Sequence, residues 1–148
     1  MQKEIMLQQL EQNKMDCLRI LKNINPENAS FRLTEKTASV GFIYRHIGES
    51  VHLLAQFFGY PTTIEGTTMG QSDTGARYDL NTSQEIFDQG YKTLENLVNE
   101  TSEKDWLEEI ETTWFGRISR IKLYSITLFH NSHHCGQIAS ALVKGKNF

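Results

Sequence analysis

Three of the chain's five histidines fall within the five-residue segment HNSHH at 130–134. At roughly 100° per residue, His130 and His134 lie about 40° apart on the same face of a helix. Such a pair can bind one metal ion because a single helical turn brings both ring nitrogens near a common point. Neutral imidazole suits zinc, nickel, iron or copper. The spacing therefore predicts a transition-metal site, against the alternative of two satisfied or half-exposed histidines without a metal.

His46 is the candidate third ligand. It lies in the apolar arc of a predicted helix over 39–58, so its side chain is expected to face the protein interior. Three imidazoles leave at least one coordination position for water or substrate, which is typical of a catalytic metal site. His52 falls on the opposite, polar side of the same helix and is predicted to be a solvated surface residue.

Four further residues lie close enough in sequence to take part. Glu49 follows the candidate third ligand by three positions and could hydrogen-bond a ligand or act as a general base, against the alternative of a solvated charge. Gln137 lies one turn beyond the histidine pair and could cap a ligand or contact substrate. His133 is about 80° from the centre of the histidine face, which favours a surface or supporting role. Cys135 points away from that face, which favours an unreactive buried or lightly exposed thiol.

Hydrophobic periodicity predicts the helices that would position these residues. The four predicted helices cover 2–23, 39–58, 83–101 and 119–144. Thr82 and Glu85 fit a capping box at the start of the third helix. Ser119 is a candidate N-cap of the fourth helix, and Gly145 is a candidate C-terminal stop.

Four long helices with almost no strand signal predict an all-α protein, a four-helix bundle formed by one domain over 1–148. The connection 59–81 between helices two and three is rich in Gly and Thr. Its length predicts a crossover connection, either a plain surface segment or a functional loop. Residues 102–117 are predicted to form a short turn and then an extended stretch. Trp106 and Trp114 are predicted to cover the core.

Composition excludes several classes of protein. The 148 residues carry 15 basic and 18 acidic side chains, a net charge of −3, which argues against a nucleic-acid-binding face or a polybasic membrane anchor. No apolar run approaches the ~18 residues of a membrane-spanning helix. The first residues lack the apolar block of a signal peptide. The two cysteines form no disulfide framework, so a cytoplasmic protein is expected.

The segments SVGFIYRHIGESVHLLAQFFG at 39–59 and HNSHHCGQIASAL at 130–142 resemble two helices of the DinB/YfiT-like superfamily of metal-binding four-helix bundles. The first is similar to the family's second helix with its single metal histidine, here His46. The second is similar to the C-terminal H-x-x-H-H-x-G-Q-I helix. In that motif the first histidine and the last of the doublet are ligands, here His130 and His134.

The resemblance implies a divalent metal, most often nickel or zinc, held by three histidines in the middle of the bundle. It also implies a small-molecule substrate and a homodimer. Characterised relatives include thiol S-transferases that use low-molecular-weight thiols such as bacillithiol, and a mycothiol-dependent isomerase. The family commonly has arginine after the histidine doublet, where this chain has Cys135. An anion or oligomer contact made by that arginine is therefore in doubt.

The function that these observations favour is a metal-dependent thiol S-transferase acting on small electrophiles. A second hypothesis is a metal-dependent hydrolase with Glu49 as general base. A third is a non-catalytic dimerisation or stress-response module. Its interface would use apolar residues of the first helix that are expected to be exposed: Met6, Met15 and Ile20.

Overall fold

The computed structural model of the chain describes residues 1–148. Its four helices are α1 (Gln2–Leu21), α2 (Val40–Ala55), α3 (Leu80–Glu100) and α4 (Arg120–Lys144). Short 3-10 helices occupy Gln56–Phe58 and Asp105–Leu107. Between α3 and α4, the strands β1 (Glu109–Thr112) and β2 (Gly116–Ser119) form a two-stranded antiparallel sheet. The prediction of an all-α, four-helix arrangement is confirmed.

Helices α2 and α3 are neighbours that run in the same direction. Gly48 of α2 faces Ile86 of α3, and farther along both helices Val51 faces Gly90. A tight turn cannot join parallel helices, so the chain between them must return along the bundle. The long connection after α2 is therefore a crossover, as its length predicts.

Helix α4 packs against α1 and α2 and completes the bundle. It is antiparallel to α2, because His130 of α4 lies beside His46 while Arg120, at the start of α4, donates to the Phe58 carbonyl oxygen just beyond α2. The middle of α2 therefore faces the middle of α4. This places the candidate metal histidines halfway along the bundle.

Two glycines allow the close approach of α2 and α3. A Cβ atom on Gly48 would lie 2.8 Å from Ile86 Cγ2 and 3.0 Å from the backbone nitrogen of Phe87. A Cβ atom on Gly90 would lie 3.0 Å from Val51 Cγ1. With α3 on one side and α4 on another, thirteen of the sixteen residues of α2 are buried. The side chains of α2 are thus held from nearly every direction.

The start of α3 differs from the prediction. The helix begins at Leu80, and Asp79 is its N-cap, whose side chain accepts a hydrogen bond from the Thr82 backbone nitrogen at 2.7 Å. The prediction of a capping box formed by Thr82 and Glu85 is wrong, because Thr82 is already inside the helix and its N–H donates a hydrogen bond to Asp79. Ser119 and Gly145 flank α4 as predicted, although the Ser119 side chain makes no capping bond.

The segment before α4 is a hairpin rather than one extended stretch. Its turn occupies 113–115, between β1 and β2. Trp106 is 2% exposed and packs edge-to-face on Tyr124, which confirms its place in the core. Trp114 is 46% exposed at the hairpin turn, where it contacts Phe57, so the prediction that it covers the core is wrong.

The predicted apolar surface of α1 is also mostly wrong. Met6 is buried and Ile20 packs against the core, whereas Met15 is 51% exposed. Both corrected residues lie on the side of α1 that faces the bundle, where apolar burial stabilises the fold. None of the helices combines the length and the apolar character needed to cross a lipid bilayer.

Candidate metal centre

The structure brings His46, His130 and His134 together between α2 and α4. The Nε2 atom of His130 lies 3.2 Å from Nε2 of His46 and 3.1 Å from Nε2 of His134. One ligand atom from each residue lies within 4.8 Å of the other two, the spacing of donors around a single ion. The four-residue spacing of His130 and His134 places both on one face of α4. The antiparallel packing of α2 against α4 places His46 beside them.

All three imidazoles are neutral near pH 7. Burial lowers the pKa of His46 to about 4 and that of His130 to about 3. Burial also lowers the pKa of His134, while its hydrogen bond to Gln137 acts in the opposite direction. The neutral ring is the form that donates a lone pair to a metal.

A buried carboxylate fixes the ring of His46 through a threonine. Glu49 is 1% exposed, and its Oε2 accepts hydrogen bonds from the Thr68 backbone nitrogen at 2.9 Å and from Thr68 Oγ1 at 2.7 Å. Because the hydroxyl proton goes to Glu49, the 3.2 Å contact between His46 Nδ1 and Thr68 Oγ1 places the ring proton on Nδ1. The Nε2 atom of His46 then presents a lone pair to the cluster.

The other two rings differ in their support. His134 Nδ1 lies 2.7 Å from Gln137 Oε1, so this ring also carries its proton on Nδ1. The Nδ1 atom of His130 is buried without a hydrogen-bond partner, and so is the amide oxygen of the adjacent Asn131. Gln137 thus lies beside the cluster and accepts a hydrogen bond from His134.

The cluster fits a bound cation. The Nε2 atoms of His46 and His134 carry no proton, and both face Nε2 of His130, at 3.2 and 3.1 Å. His130 has one ring proton and can satisfy at most one of these two acceptors, whereas a metal ion would accept a lone pair from all three nitrogens. Neutral nitrogen donors suit a divalent transition metal, and the outer bonds to Thr68 and Gln137 are of the kind that orient metal-ligating histidines.

The crossover connection supplies one wall of the site. Thr67 and Thr68 are bonded to Glu49, with 2.6 Å between Thr67 Oγ1 and Glu49 Oε1. The next residue, Met69, lies with its sulfur 3.6 Å from Ser50 Oγ, which is itself 3.4 Å from His46 Nε2. No sequence pattern predicts this contact, because the connection has no periodicity.

A layer of buried polar groups lies behind the cluster. Asn131 donates to the Tyr91 hydroxyl at 3.0 Å, and that hydroxyl donates to Asn13 at 2.5 Å and lies 3.7 Å from Cys17 Sγ. Cys135 is buried with a free thiol, as predicted. These groups connect α1, α3 and α4 without reaching the Nε2 face of the cluster.

Two histidines lie outside the cluster. The prediction that His52 is a solvated surface residue is wrong: it is 7% exposed, and its Nε2 atom lies 2.9 Å from the Ile86 carbonyl oxygen. Its side of α2 is covered by α3. His133 is exposed on α4 and stacks on Phe129, with ring centroids 6.2 Å apart.

A family model described as the DinB superfamily matches residues 9–138 of the chain. This span includes all three residues of the cluster. In a comparison with curated proteins, none matches the chain.

Proposed function

The chain belongs to the DinB superfamily, and from this premise we propose that it is a metal-dependent enzyme that transfers a low-molecular-weight thiol to a small electrophile. His46, His130 and His134 hold a divalent metal, with nickel or zinc as the first candidates. The observation that carries the proposal is the convergence of these three histidines, each of which offers one ligand atom within 4.8 Å of the other two.

The chain's own residues prepare the site for this chemistry. Glu49, through Thr68, holds the His46 ring with its Nε2 lone pair facing inward, and Gln137 does the same for His134. When bound, the metal would lower the pKa of a coordinating thiol and so favour the nucleophilic thiolate near neutral pH. The thiol would release its proton to solvent, its sulfur would bond to the electrophilic carbon, and the leaving group would depart with its bonding electrons.

The surroundings of the cluster favour thiol transfer over hydrolysis. A metal-dependent hydrolase needs a general base beside the attacking water. Glu49 is the nominated base, but its two oxygens accept hydrogen bonds from Thr67 and Thr68. We assign Glu49 a positioning role through Thr68. Met69 provides an apolar wall near the cluster instead of a base.

The first test is elemental analysis of the protein purified without a metal-binding tag. We expect about one transition-metal ion per chain, lost in His46→Ala and in His130→Ala. His133→Ala is the matched control, because it removes an exposed histidine of the same helix and should leave the metal content unchanged.

The second test is a screen of the metal-loaded protein with a panel of low-molecular-weight thiols and electrophiles. We expect conjugation that depends on the metal and is lost in His130→Ala. A metal-binding protein that conjugates no thiol would overturn the transferase. A chain that takes up neither zinc nor nickel would remove the chemical argument and favour the non-catalytic dimerisation or stress-response module.

A further inference from the structure

Met69 of the crossover connection shares a contact with the cluster-facing nitrogen of His46. Its sulfur and that nitrogen both contact one hydroxyl, Ser50 Oγ, at 3.6 Å and 3.4 Å. The side chain is half-buried rather than directed into solvent. A thioether therefore lies on the wall of a cluster whose other donors are three imidazoles.

The lone pairs of this sulfur are free to act as a ligand. Ser50 has one hydroxyl proton, and the 2.6 Å bond to the His46 carbonyl oxygen uses it. The contact between Ser50 and Met69 is therefore not a strong hydrogen bond to sulfur. A thioether is a soft donor, of the kind that favours copper(I) over harder cations.

The chain holds Met69 in this place on both sides. Thr67 and Thr68, directly before it, are bonded to the buried Glu49 carboxylate. Gly66 packs closely, since a Cβ atom there would lie 2.7 Å from Leu53 Cδ1 and 3.4 Å from Met69 Cβ. Gly70, directly after it, has a φ of +67°, which suits glycine. The turn is thus fixed to α2 at the level of His46.

We propose that Met69 Sδ is a fourth, exchangeable donor to the metal, a ligand that a soft ion such as copper(I) reports more sensitively than zinc. The inference rests on the three-histidine centre proposed above and adds one ligand to it. A thioether is a neutral, weak ligand, so an incoming thiolate displaces it. Met69 then occupies the open position only while no thiol is bound.

The test compares the parent with Met69→Leu, a substitution that conserves volume and so should preserve the fold. Copper(I) affinity is measured by competition with a chromophoric copper(I) chelator, and zinc affinity by competition with a zinc indicator. We expect Met69→Leu to bind copper(I) about tenfold more weakly or worse while its zinc affinity changes by less than about threefold. Met15→Leu, on the exposed surface of α1, is the matched control and should change neither.

Selenomethionine labelling identifies the donor directly. X-ray absorption of the copper(I)-loaded, labelled parent should show selenium in the first coordination shell, and Met69→Leu should lose it. Added thiol should also remove the selenium signal in the parent.

Two results would overturn the proposal that Met69 is a ligand: copper(I) bound without selenium in its first shell, or equal copper(I) affinity in the parent and Met69→Leu. Either result would leave the three-histidine centre intact. A parent that binds neither copper(I) nor zinc would overturn both proposals.

Discussion

Two histidines six positions apart on α2 have opposite roles. His46 faces α4 and joins a cluster of imidazoles, whereas His52 faces α3 and donates to the Ile86 carbonyl oxygen at 2.9 Å. Burial lowers the pKa of both. The bond to Ile86 places the proton of His52 on Nε2, while Thr68 places that of His46 on Nδ1.

The difference shows that burial alone does not make a ligand. A neutral buried histidine has one donor and one acceptor, and its partners decide which nitrogen keeps its lone pair. At the α2–α3 interface the Nε2 position is used for packing two helices together. At the α2–α4 interface the same atom faces the other imidazoles of the cluster, where it could bind a metal ion. The predictions below test this division, beginning with the largest expected effect.

Replacing His46 and His52 by alanine, one at a time, should separate metal binding from folding. We expect His46→Ala to weaken metal binding by more than the 10–100-fold typical of lost outer partners, with little change in the stability of the metal-free protein. We expect His52→Ala to keep the metal and lose about 2 kcal/mol of unfolding free energy. Metal titration and urea unfolding with a chelator check both. Equal metal affinity in the two variants would contradict the comparison.

Gly48→Ala should damage only the α2–α3 interface. The new methyl group would lie 3.0 Å from the Phe87 backbone nitrogen, so we expect a loss of about 2 kcal/mol from overpacking. Gly136→Ala on α4 is the control: a Cβ there has no neighbour within 4 Å, and alanine should gain about 0.5–1 kcal/mol of helix stability. Thermal melting measures both, and similar melting temperatures would refute the close approach.

Glu49→Gln should weaken metal binding although Glu49 is not a ligand. The amide cannot accept all three hydrogen bonds from Thr67 and Thr68, so the His46 ring loses its fixed orientation. We expect about a tenfold loss of zinc affinity by indicator competition. A retained affinity would show that Thr68 orients the ring without the carboxylate.

The stability of the metal-free protein should depend on pH through His52 as well as through the three clustered histidines, whose pKa values are also lowered by burial. The pKa of His52 in the folded state is lowered, chiefly by burial. The unfolded chain therefore binds more protons as pH falls below about 6.5, and stability, complete above that value, declines toward acid. His52→Gln, which can still donate to Ile86, should make the decline between pH 7 and 5 shallower. Urea unfolding at several pH values measures it, and parallel curves would exclude His52 as a contributor.

Gln137→Ala should have the smallest effect. Gln137 is exposed, so water can replace its 2.7 Å bond to His134 Nδ1. We expect a loss of about threefold in zinc affinity, at or below the low end for outer partners. A loss as large as that of Glu49→Gln would mean that exposure does not weaken this support.

Much of the fold and the histidine cluster could be predicted from the sequence, because both depend on helical periodicity. Apolar repeats locate four helices, and the same geometry places His130 and His134 on one face. The family match agrees with the resemblance found in the histidine motifs. The thiol, the substrate, the homodimer and the cytoplasmic location stay predictions.

The failures come where another element decides the environment. A helical wheel predicts that His52 is solvated, but Gly48, one turn earlier on the same side, marks the approach of α3. Thr68 and Met69 could not be predicted because their contacts depend on the path of a connection without periodicity. The Thr82 N–H donates to Asp79 at 2.7 Å. Asp79 is therefore the N-cap, and α3 begins before the capping box that the sequence pattern predicts.

The parallel course of α2 and α3 has a consequence for how this protein could change over generations. Any chain that joins them must run back along the bundle, past the level at which the histidines lie. Residues of this return segment outside 66–70, the part that is fixed to α2, can be substituted or inserted with little cost to the helical core, since loops tolerate such changes. The architecture thus separates inheritance of the three-histidine framework from variation in the segment that passes it, and changes in the connection alone can alter what reaches the cluster.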